Sequence, residues 1–317
     1  MSKNFALIGA GGYIAPRHLQ AIKDTGNNLV AAIDRHDSVG ILDRYFFDCD
    51  FFQEFERFDR HIDKLRRMGE ENRIHYVSIC SPNYLHDSHI RFALKNDADA
   101  ICEKPLVLNP WNLDQIEQLE QETGKRVNNI LQLRVHPSIV AVREKIQKQR
   151  PVDKFDVVLT YITSRGKWYG YSWKGDESKS GGIATNIGIH FFDMLIWIFG
   201  AVKKQSVHLA KPTKAAGYLE LETARVRWYL SLDRNDLPPS VACKGKTTFR
   251  SITIDGEEME FSDGFADLHT QVYKNILDGK GFGVSDARPS VTLAHQIRNC
   301  AKSPGSKESL HPNLKVG

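Results

Sequence analysis

The chain has 317 residues, 41% of them hydrophobic, with 43 Lys and Arg against 39 Asp and Glu, a formal net charge of 43 − 39 = +4. So small an excess excludes a general nucleic-acid binder, which needs a dense basic surface, but it suits a protein that handles an anionic small molecule. One hydrophobic core stops growing at roughly 250–300 residues, so two domains are expected.

The five cysteines, Cys49, Cys80, Cys102, Cys243 and Cys300, are scattered and form no CxxC pair. They are expected to be free, reduced and mostly buried. The start, MSKNFALIGAGG, lacks the longer apolar region and cleavage site of a signal peptide. The most apolar segment, FFDMLIWIFG, is short and holds Asp193, whereas a spanning helix needs about 20 apolar residues. No membrane association and a cytoplasmic location are expected.

Over residues 1–130 short apolar runs alternate with helical patterns, as a parallel sheet requires. FALI (5–8), LVAAI (29–33), YVSIC (76–80), DAIC (99–102) and VNNIL (127–131) read as buried strands. Tyr13–Asp24, Ser38–Tyr45, Glu56–Arg67, Leu85–Lys95 and Pro110–Thr123 read as the crossover helices, with Gly26 and Gly124 where C-caps belong. The basic cluster ERFDRHIDKLRRMGEENRIH is interrupted by acids at helical spacing and reads as a solvated helix face. After residue 135, VDKFDVVLTYITS, KKQSVHLAKP, GYLELETARVRWYLSL and RSITIDGEEMEFS alternate or are β-branched, with turn signals between them. They predict a second, largely antiparallel sheet. Ser138–Lys148, Gly188–Phe199 and His269–Leu277 are predicted to pack on it as helices, and the polar tail after Ala301 is predicted to be disordered. The fold class is α/β: a parallel-sheet domain over 1–130, then an α+β domain with a large, mainly antiparallel sheet over 131–317.

The first strand runs into GAGGYIAPRH. Glycines at a strand-to-helix turn let the backbone approach a pyrophosphate, and the helix start supplies N–H donors. Gly9 and Gly11 fit the first two glycines of G-x-G-x-x-G, but the sixth position is Ile14. A register over Gly12, Tyr13, Ile14 and Ala15 instead makes Ala15 the small packing residue and lengthens the loop by one. The context fits the motif, because LVAAI ends in Asp34. A carboxylate there accepts from the ribose hydroxyls of NAD and repels a 2′-phosphate. Arg35 beside it weakens that preference, and a turn residue or helix cap is the plainer reading of Asp34. NAD is the expected cofactor. Ser81, Pro82 and Asn83 form a polar turn after YVSIC, at the sheet edge where such folds bind ligands. His86 and His89 have H-x-x-H spacing without a clear third ligand, so no metal is expected.

In EKPLVLNP, Lys104 follows DAIC and so projects at the same edge, and Pro105 restricts its backbone. Beside an oxidised nicotinamide its ammonium would give up its proton more readily, and it could polarise or deprotonate a hydroxyl. A lysine paired with Glu103 in a structural turn is the alternative. In SGGIATNIGIHFFDMLIWIFG, Asn186, His190, Asp193 and Trp197 lie at i, i+4, i+7 and i+11, a polar stripe on an apolar helix. Such a stripe points at a site or a partner, unless His190 is a satisfied core histidine.

EKP, the glycine-turn pattern before it and the GG-x-x-x-N-x-G-x-H-x-x-D helix together resemble the glucose–fructose oxidoreductase/inositol dehydrogenase (Gfo/Idh/MocA) family over nearly the whole chain. The resemblance implies an N-terminal Rossmann domain, a C-terminal mixed sheet, NAD(P) and redox chemistry at a sugar carbon. It makes Lys104 the catalytic lysine and His190 the acid/base. Asn186 stands where the family often has aspartate, and asparagine cannot take up a proton. The cofactor contacts it implies are Gly9, Gly11, Gly12, Tyr13, Ile14, Asp34, Ser81, Pro82, Asn83, His86, Glu103 and Lys104.

NFALIGAGGYIAPRHLQAIKDTGNNLVAAID, LQLRVHPS, TYITSRGKWYGYSWKGD and FADLHTQVYKNIL are similar, within that family, to the UDP-N-acetylglucosaminuronate 3-dehydrogenases. That group implies oxidation of a UDP-sugar acid at C3 on the way to diacetylated mannuronic acid of O-antigen, with cofactor recycling by 2-oxoglutarate in some members, and a homotetramer. An anionic nucleotide sugar needs cations, planar donors and stacking surface. SRGKWYGYSWKGD offers Arg165, Lys167, Trp168, Tyr169, Tyr171, Trp173 and Lys174. Arg165, Trp168, Tyr169 and Trp173, with Lys104, Asn186 and His190, are the expected substrate contacts, and an oligomer contact is the other reading of the loop. Arg134, His136, His269 and Thr270 are weaker candidates, as readily structural. An open second sheet would expose an apolar face, which also predicts a homo-oligomer. The rival readings are a dehydrogenase of inositol or a free sugar, and a non-catalytic NAD-binding sensor.

Overall fold

The computed structural model describes residues 2–37, 39–149, 153–261 and 267–314. The chain forms two compact units, 1–132 with 266–288, and 133–265 with 289–317.

In the first unit six strands, β1 (Asn4–Ile8), β2 (Asn28–Ile33), β3 (Asp50–Phe52), β4 (Tyr76–Ile79), β5 (Asp99–Cys102) and β6 (Val127–Asn129), form a sheet of order β3-β2-β1-β4-β5-β6. Every pairing is parallel. This is the Rossmann order, with the reversal of strand order between β1 and β4. The register aligns Ile8 with Ile33 and Ile79, and Ile79 with Cys102. The residues that follow those four, Gly9, Asp34, Cys80 and Glu103, therefore leave the sheet along one edge. Phe5, Ala6 and Leu7 are wholly buried, as are Ala100, Ile101 and Cys102.

Helices Ala15–Asp24, Val39–Leu42, Phe55–Arg67, His86–Lys95 and Trp111–Thr123 connect the strands. Ser38, the first residue of one predicted helix, lies outside the described residues. Gly124 ends Trp111–Thr123 at φ 67°, and Gly26 follows Ala15–Asp24 at φ 71°. Phe55–Arg67 buries Phe58 and Ile62, while Asp63 pairs outward with Arg66 and Arg67. Strand β3 went unread in the sequence, being three half-exposed residues without alternation.

The segment after residue 266 corrects two expectations. Helix Leu268–Leu277, which the sequence assigned to the second sheet, belongs to the first unit, where it packs on Ala15–Asp24 and Tyr273 stacks on Phe5 at 6.0 Å. Helix Val284–Asn299 was not predicted, because Pro289 inside it reads as a breaker.

In the second unit β7 (Phe155–Thr163), β8 (Val202–Lys211), β9 (Lys214–Leu221), β10 (Ala224–Ser231), β11 (Thr248–Ile254) and β12 (Glu257–Glu260) give the order β12-β11-β7-β10-β9-β8. Only the central pair β7–β10 is parallel among these pairings. Trp228 and Tyr161 face inward onto Phe192 and Phe191 of helix Ile189–Phe199. That helix packs on Pro137–Lys148, with the Arg143 guanidinium 4.2 Å above the Trp197 ring.

The helical run that ends at Phe199 begins at Glu177, longer than the sequence suggested, and reaches the length and mean hydropathy, 1.4, of a membrane span. Yet 78% of its most apolar 18-residue stretch is buried inside the protein, as in a core helix. The outer face of the sheet is not the open apolar surface expected. It carries the ion pairs Arg227–Asp156 and Lys154–Glu220, and its apolar end is covered by Leu237 and Val241 of the same chain. The five cysteines are free, but only Cys80 and Cys102 are buried.

The tail also departs from expectation, being packed as far as residue 314. His311 is 1% exposed and stacks on Tyr229. Its Nδ1 accepts from the Asn313 amide, so Nε2 carries the hydrogen and donates to Thr160 Oγ1 at 3.1 Å. Burial, aided by Arg227, holds this imidazole down to about 3, below its ordinary 6.5. Neutral His311 thus contributes stability that is present above pH 6.5 and is lost as pH falls from there toward 3. His311→Gln is expected to flatten that acid loss, read as the urea midpoint between about pH 7 and 4.

Candidate functional site

The edge of the first sheet is built by close backbone approach. Gly9 sits at φ 93°, and a Cβ there would lie 2.8 Å from the Cys80 carbonyl carbon and the Ser81 nitrogen. At Gly12 a Cβ would lie 3.0 Å from Gly9 O. The loop therefore lies against the end of β4 as only glycine permits. Ile14 occupies the N-cap of helix Ala15–Asp24 and gives no side-chain cap; Pro16 has no amide hydrogen, and the Ala15 and Arg17 amides donate to Gly12 O and Ile14 O. Ala15 is wholly buried, the small residue that the longer register requires, and Tyr13 is 83% exposed.

Asp34 Oδ2 accepts from the Gly11 amide at 2.8 Å, and Oδ1 accepts from the His36 amide at 2.9 Å. The carboxylate thus ties the glycine loop to the end of β2 and keeps lone pairs for a ribose. Asn83 and Ser81 are buried at the end of β4. Ser81 Oγ lies 2.8 Å from His89 Nδ1, and burial holds His89 down to about 4, hence neutral. These features fit a dinucleotide: a glycine cradle, an uncapped helix start, an acid after β2 and a polar turn after β4. Gly9→Ala is expected to weaken NAD binding about tenfold or more, because its Cβ would push the loop off β4. Titration of NAD against protein fluorescence, with thermal unfolding as a control, measures it.

Two expected cofactor contacts turn inward instead. His86 is wholly buried, its Nδ1 2.7 Å from Pro105 O and its Nε2 2.9 Å from Ser81 O, so it sits between two edge loops and, when neutral, donates to one of those carbonyls. Glu103 is 5% exposed, and Oε1 accepts from His18 Nε2 at 3.1 Å and His269 Nε2 at 2.9 Å. Those three donor sets lie within 4.8 Å of one another, but each is already engaged by direct hydrogen bonds. His18 and His269 are residues that sequence reading missed or left ambiguous; Lys104, half-buried, follows Glu103 at the edge, and its peptide bond to Pro105 is cis.

In the second unit Asn186 and His190 stand where a π-helical turn, Ala184–Gly188, enters helix Ile189–Phe199. Such turns recur at functional sites. Asn186 Nδ2 donates to Tyr169 Oη at 2.7 Å, which ties the aromatic loop to this turn. Burial pushes the Tyr169 phenol up and keeps it neutral. The predicted stripe divides in function. Asp193 takes a bidentate ion pair from Arg134, at 2.9 and 2.8 Å, and Trp197 lies under Arg143. Arg134 is therefore structural, and buried His136 packs beside Phe261 at 6.4 Å.

The Lys174 ammonium lies 5.0 Å from the Trp168 ring centre and 5.2 Å from that of Trp173. Beside this stack is a cavity of about 750 Å³ lined by Arg165, Lys167, Lys174, Lys211 and Arg298, with Tyr169 and Glu177. Lys211 ends β8 and Arg298 lies on the unpredicted helix, so nothing local in the sequence joined them to the loop. Trp168 and Trp173 are not among its walls.

Residues 3–130 match the model of the GFO_IDH_MocA oxidoreductases, NAD-binding Rossmann fold, and residues 143–286 match the C-terminal alpha/beta domain of the same oxidoreductases. The structure is similar to the WlbA (WbpB) dehydrogenase of Thermus thermophilus, at 51% identity, 98% of this chain, 100% of that chain and a TM-score of 0.95. That dehydrogenase was crystallised with NAD and alpha-ketoglutarate, and with NAD and UDP-GlcNAcA. Among curated relatives, the D-glucoside 3-dehydrogenase of Escherichia coli is 27% identical over 42% of this chain and 38% of its own length. The inositol 2-dehydrogenase of Rhizobium meliloti is 27% identical over 63% and 56%. The chain thus spans about half or less of the curated relatives it matches.

Proposed function

Because the chain belongs to the Gfo/Idh/MocA oxidoreductase family, we propose that it oxidises the C3 hydroxyl of UDP-N-acetylglucosaminuronate to the 3-keto sugar, with NAD. The cation-rich cavity of the second unit carries the choice of substrate. Five Lys and Arg side chains against one carboxylate suit the pyrophosphate and carboxylate of a UDP-sugar acid, with about three negative charges, and a free sugar or inositol needs none of them. The likeness to a dehydrogenase crystallised with that compound supports the same choice.

When bound, NAD supplies the hydride acceptor. The Gly9–Ala15 loop, Asp34 and Ser81–Asn83 hold it. His190 accepts the C3 hydroxyl proton as general base, and the Lys104 ammonium polarises that hydroxyl. Asn186 orients rather than relays, since its amide donates to Tyr169. The T. thermophilus complex with alpha-ketoglutarate supports reoxidation of the reduced cofactor by 2-oxoglutarate, which becomes 2-hydroxyglutarate. By the same kinship the reaction feeds the formation of diacetylated mannuronic acid for O-antigen, in the cytoplasm, on a homotetramer.

The test is NADH formation from UDP-N-acetylglucosaminuronate, with and without 2-oxoglutarate. A rise in absorbance with the sugar alone supports freely released NADH. Formation of 2-hydroxyglutarate only when both compounds are present supports an internally recycled cofactor. Silence in both assays, from protein that binds NAD, refutes the substrate and returns the reading to a free sugar.

A further inference from the structure

Behind the edge of the first sheet lies a buried cluster of His18, Glu103 and His269. We propose that Glu103, anchored by His18 and His269, is a positioning residue for Lys104: its carboxylate fixes the lysine's backbone and supplies the buried countercharge that keeps its ammonium protonated. The proposal rests on the reading of Lys104 as the group that polarises the substrate hydroxyl.

Donors and acceptors fix the arrangement. Glu103 Oε1 faces both imidazole Nε2 atoms, at 3.1 and 2.9 Å, and Oε2 accepts from the Lys104 amide at 3.2 Å. An ionised carboxylate only accepts, so each Nε2 carries a hydrogen. Burial disfavours a second proton on His18, which leaves its Nδ1 as an acceptor. The Tyr273 hydroxyl, 2.7 Å away, must then donate to it, and Ser78 Oγ, 2.6 Å beyond, must donate to Tyr273. Hydrogen bonds thus run from Ser78 through Tyr273 and His18 to Glu103, and a second arrives from His269. Burial by itself would raise the Glu103 carboxyl, but its two imidazole donors outweigh that and hold it well below the ordinary range.

The cluster therefore keeps one negative charge among residues that are at most 5% exposed. The thiols of Cys80 and Cys102 and the Tyr273 phenol face it, and burial keeps all three neutral. His86 feels both Glu103 and Lys104, and burial lowers its hold on a proton. Lys104 is the adjoining cation, next in the chain and bonded to Glu103 through its amide.

Glu103→Gln removes the charge and sets an amide –NH2 against either the imidazole N–H groups or the Lys104 N–H. The alkaline limb of the kcat–pH profile is expected to move down by about one unit, with kcat lowered more than KM and NAD binding retained. Glu103→Asp keeps the charge, and its limb is expected to stay at the wild-type pH. A folded Glu103→Gln enzyme with a wild-type profile, or an equal shift in Glu103→Asp, would overturn the proposal. Should Glu103→Gln fail to fold, or the wild type not oxidise the sugar, histidine NMR of the wild type decides the cluster alone. A hydrogen on Nε2 of both His18 and His269 supports it, and an Nδ1–H tautomer with a bare Nε2 at either residue refutes it.

Discussion

Lys104→Met is expected to lower turnover by about 10²–10⁴-fold while leaving NAD affinity unchanged. Lys104 is half-buried at the carboxyl edge of the parallel sheet, and its backbone is held from two sides. The Glu103 carboxylate accepts from its amide, and His86 lies against the carbonyl of the next residue. Methionine keeps the length and the apolar stem but removes the donor and the charge, so the loss isolates the ammonium. Single-turnover NADH formation measures the chemistry, and a fluorescence titration measures the cofactor. His190→Asn is expected to cost a similar factor. The double variant should lose little more than either single one, because the proposed reaction assigns both groups to one proton transfer. Wild-type turnover in Lys104→Met would remove the lysine from the mechanism.

Arg134→Met is expected to cost about 3–5 kcal/mol of stability. The Arg134 and Asp193 side chains are 7% and 3% exposed and meet through two hydrogen bonds. Without the guanidinium, Asp193 keeps its charge on a helix whose other buried residues are apolar, including Phe191, Phe192, Met194 and Leu195. The melting temperature should fall by roughly 6–20 °C, at 2–4 °C for each kcal/mol in a chain of this class. Arg134→Met with Asp193→Leu should regain most of that, because the second change removes the stranded charge. An unchanged melting temperature in the single variant would mean that the pair does not bear on stability. A further readout is turnover at low temperature. His190 lies one turn before Asp193 on the same helix, so the single variant should also lose activity before it unfolds.

Much of the first unit was legible because its strands are buried on both faces. FALI, LVAAI, YVSIC and DAIC stand out as apolar runs, and each proved to be a strand within a residue of its predicted ends. The glycine turn and Asp34 were legible for the same local reason: a loop that approaches a phosphate needs glycine, and a ribose needs an acceptor. Strand β3 was not, since at three half-exposed residues it leaves no period to read. In the second unit the alternating strands were legible, whereas the helix through Pro289 and the packed tail were not. Proline signals a break, and a polar tail signals solvent, until tertiary contacts outweigh both.

The candidate site shows the same division. By itself the sequence determined which residue types stand at the ends of strands: Gly9, Asp34, Ser81 and Lys104 follow apolar runs whose direction a parallel sheet makes common. It also determined that Asn186 and His190 share a helical segment, and that cations and aromatics crowd one loop. Only the tertiary structure decided what the buried polar groups do. Glu103 and His86 read as cofactor contacts, but they face inward, because partners 166 residues away in the chain for Glu103 and 19 for His86 satisfy them. Arg134 read as a weak ligand candidate, but it neutralises Asp193, 59 residues on. Lys211 and Arg298 join the loop's cations in one cavity from a strand end and a helix that share no motif with it. The physical reason is common to all of these. A backbone pattern is set by neighbours in sequence, whereas a buried charge is settled by whichever donor the fold brings within about 3 Å, and sequence spacing carries no trace of that distance.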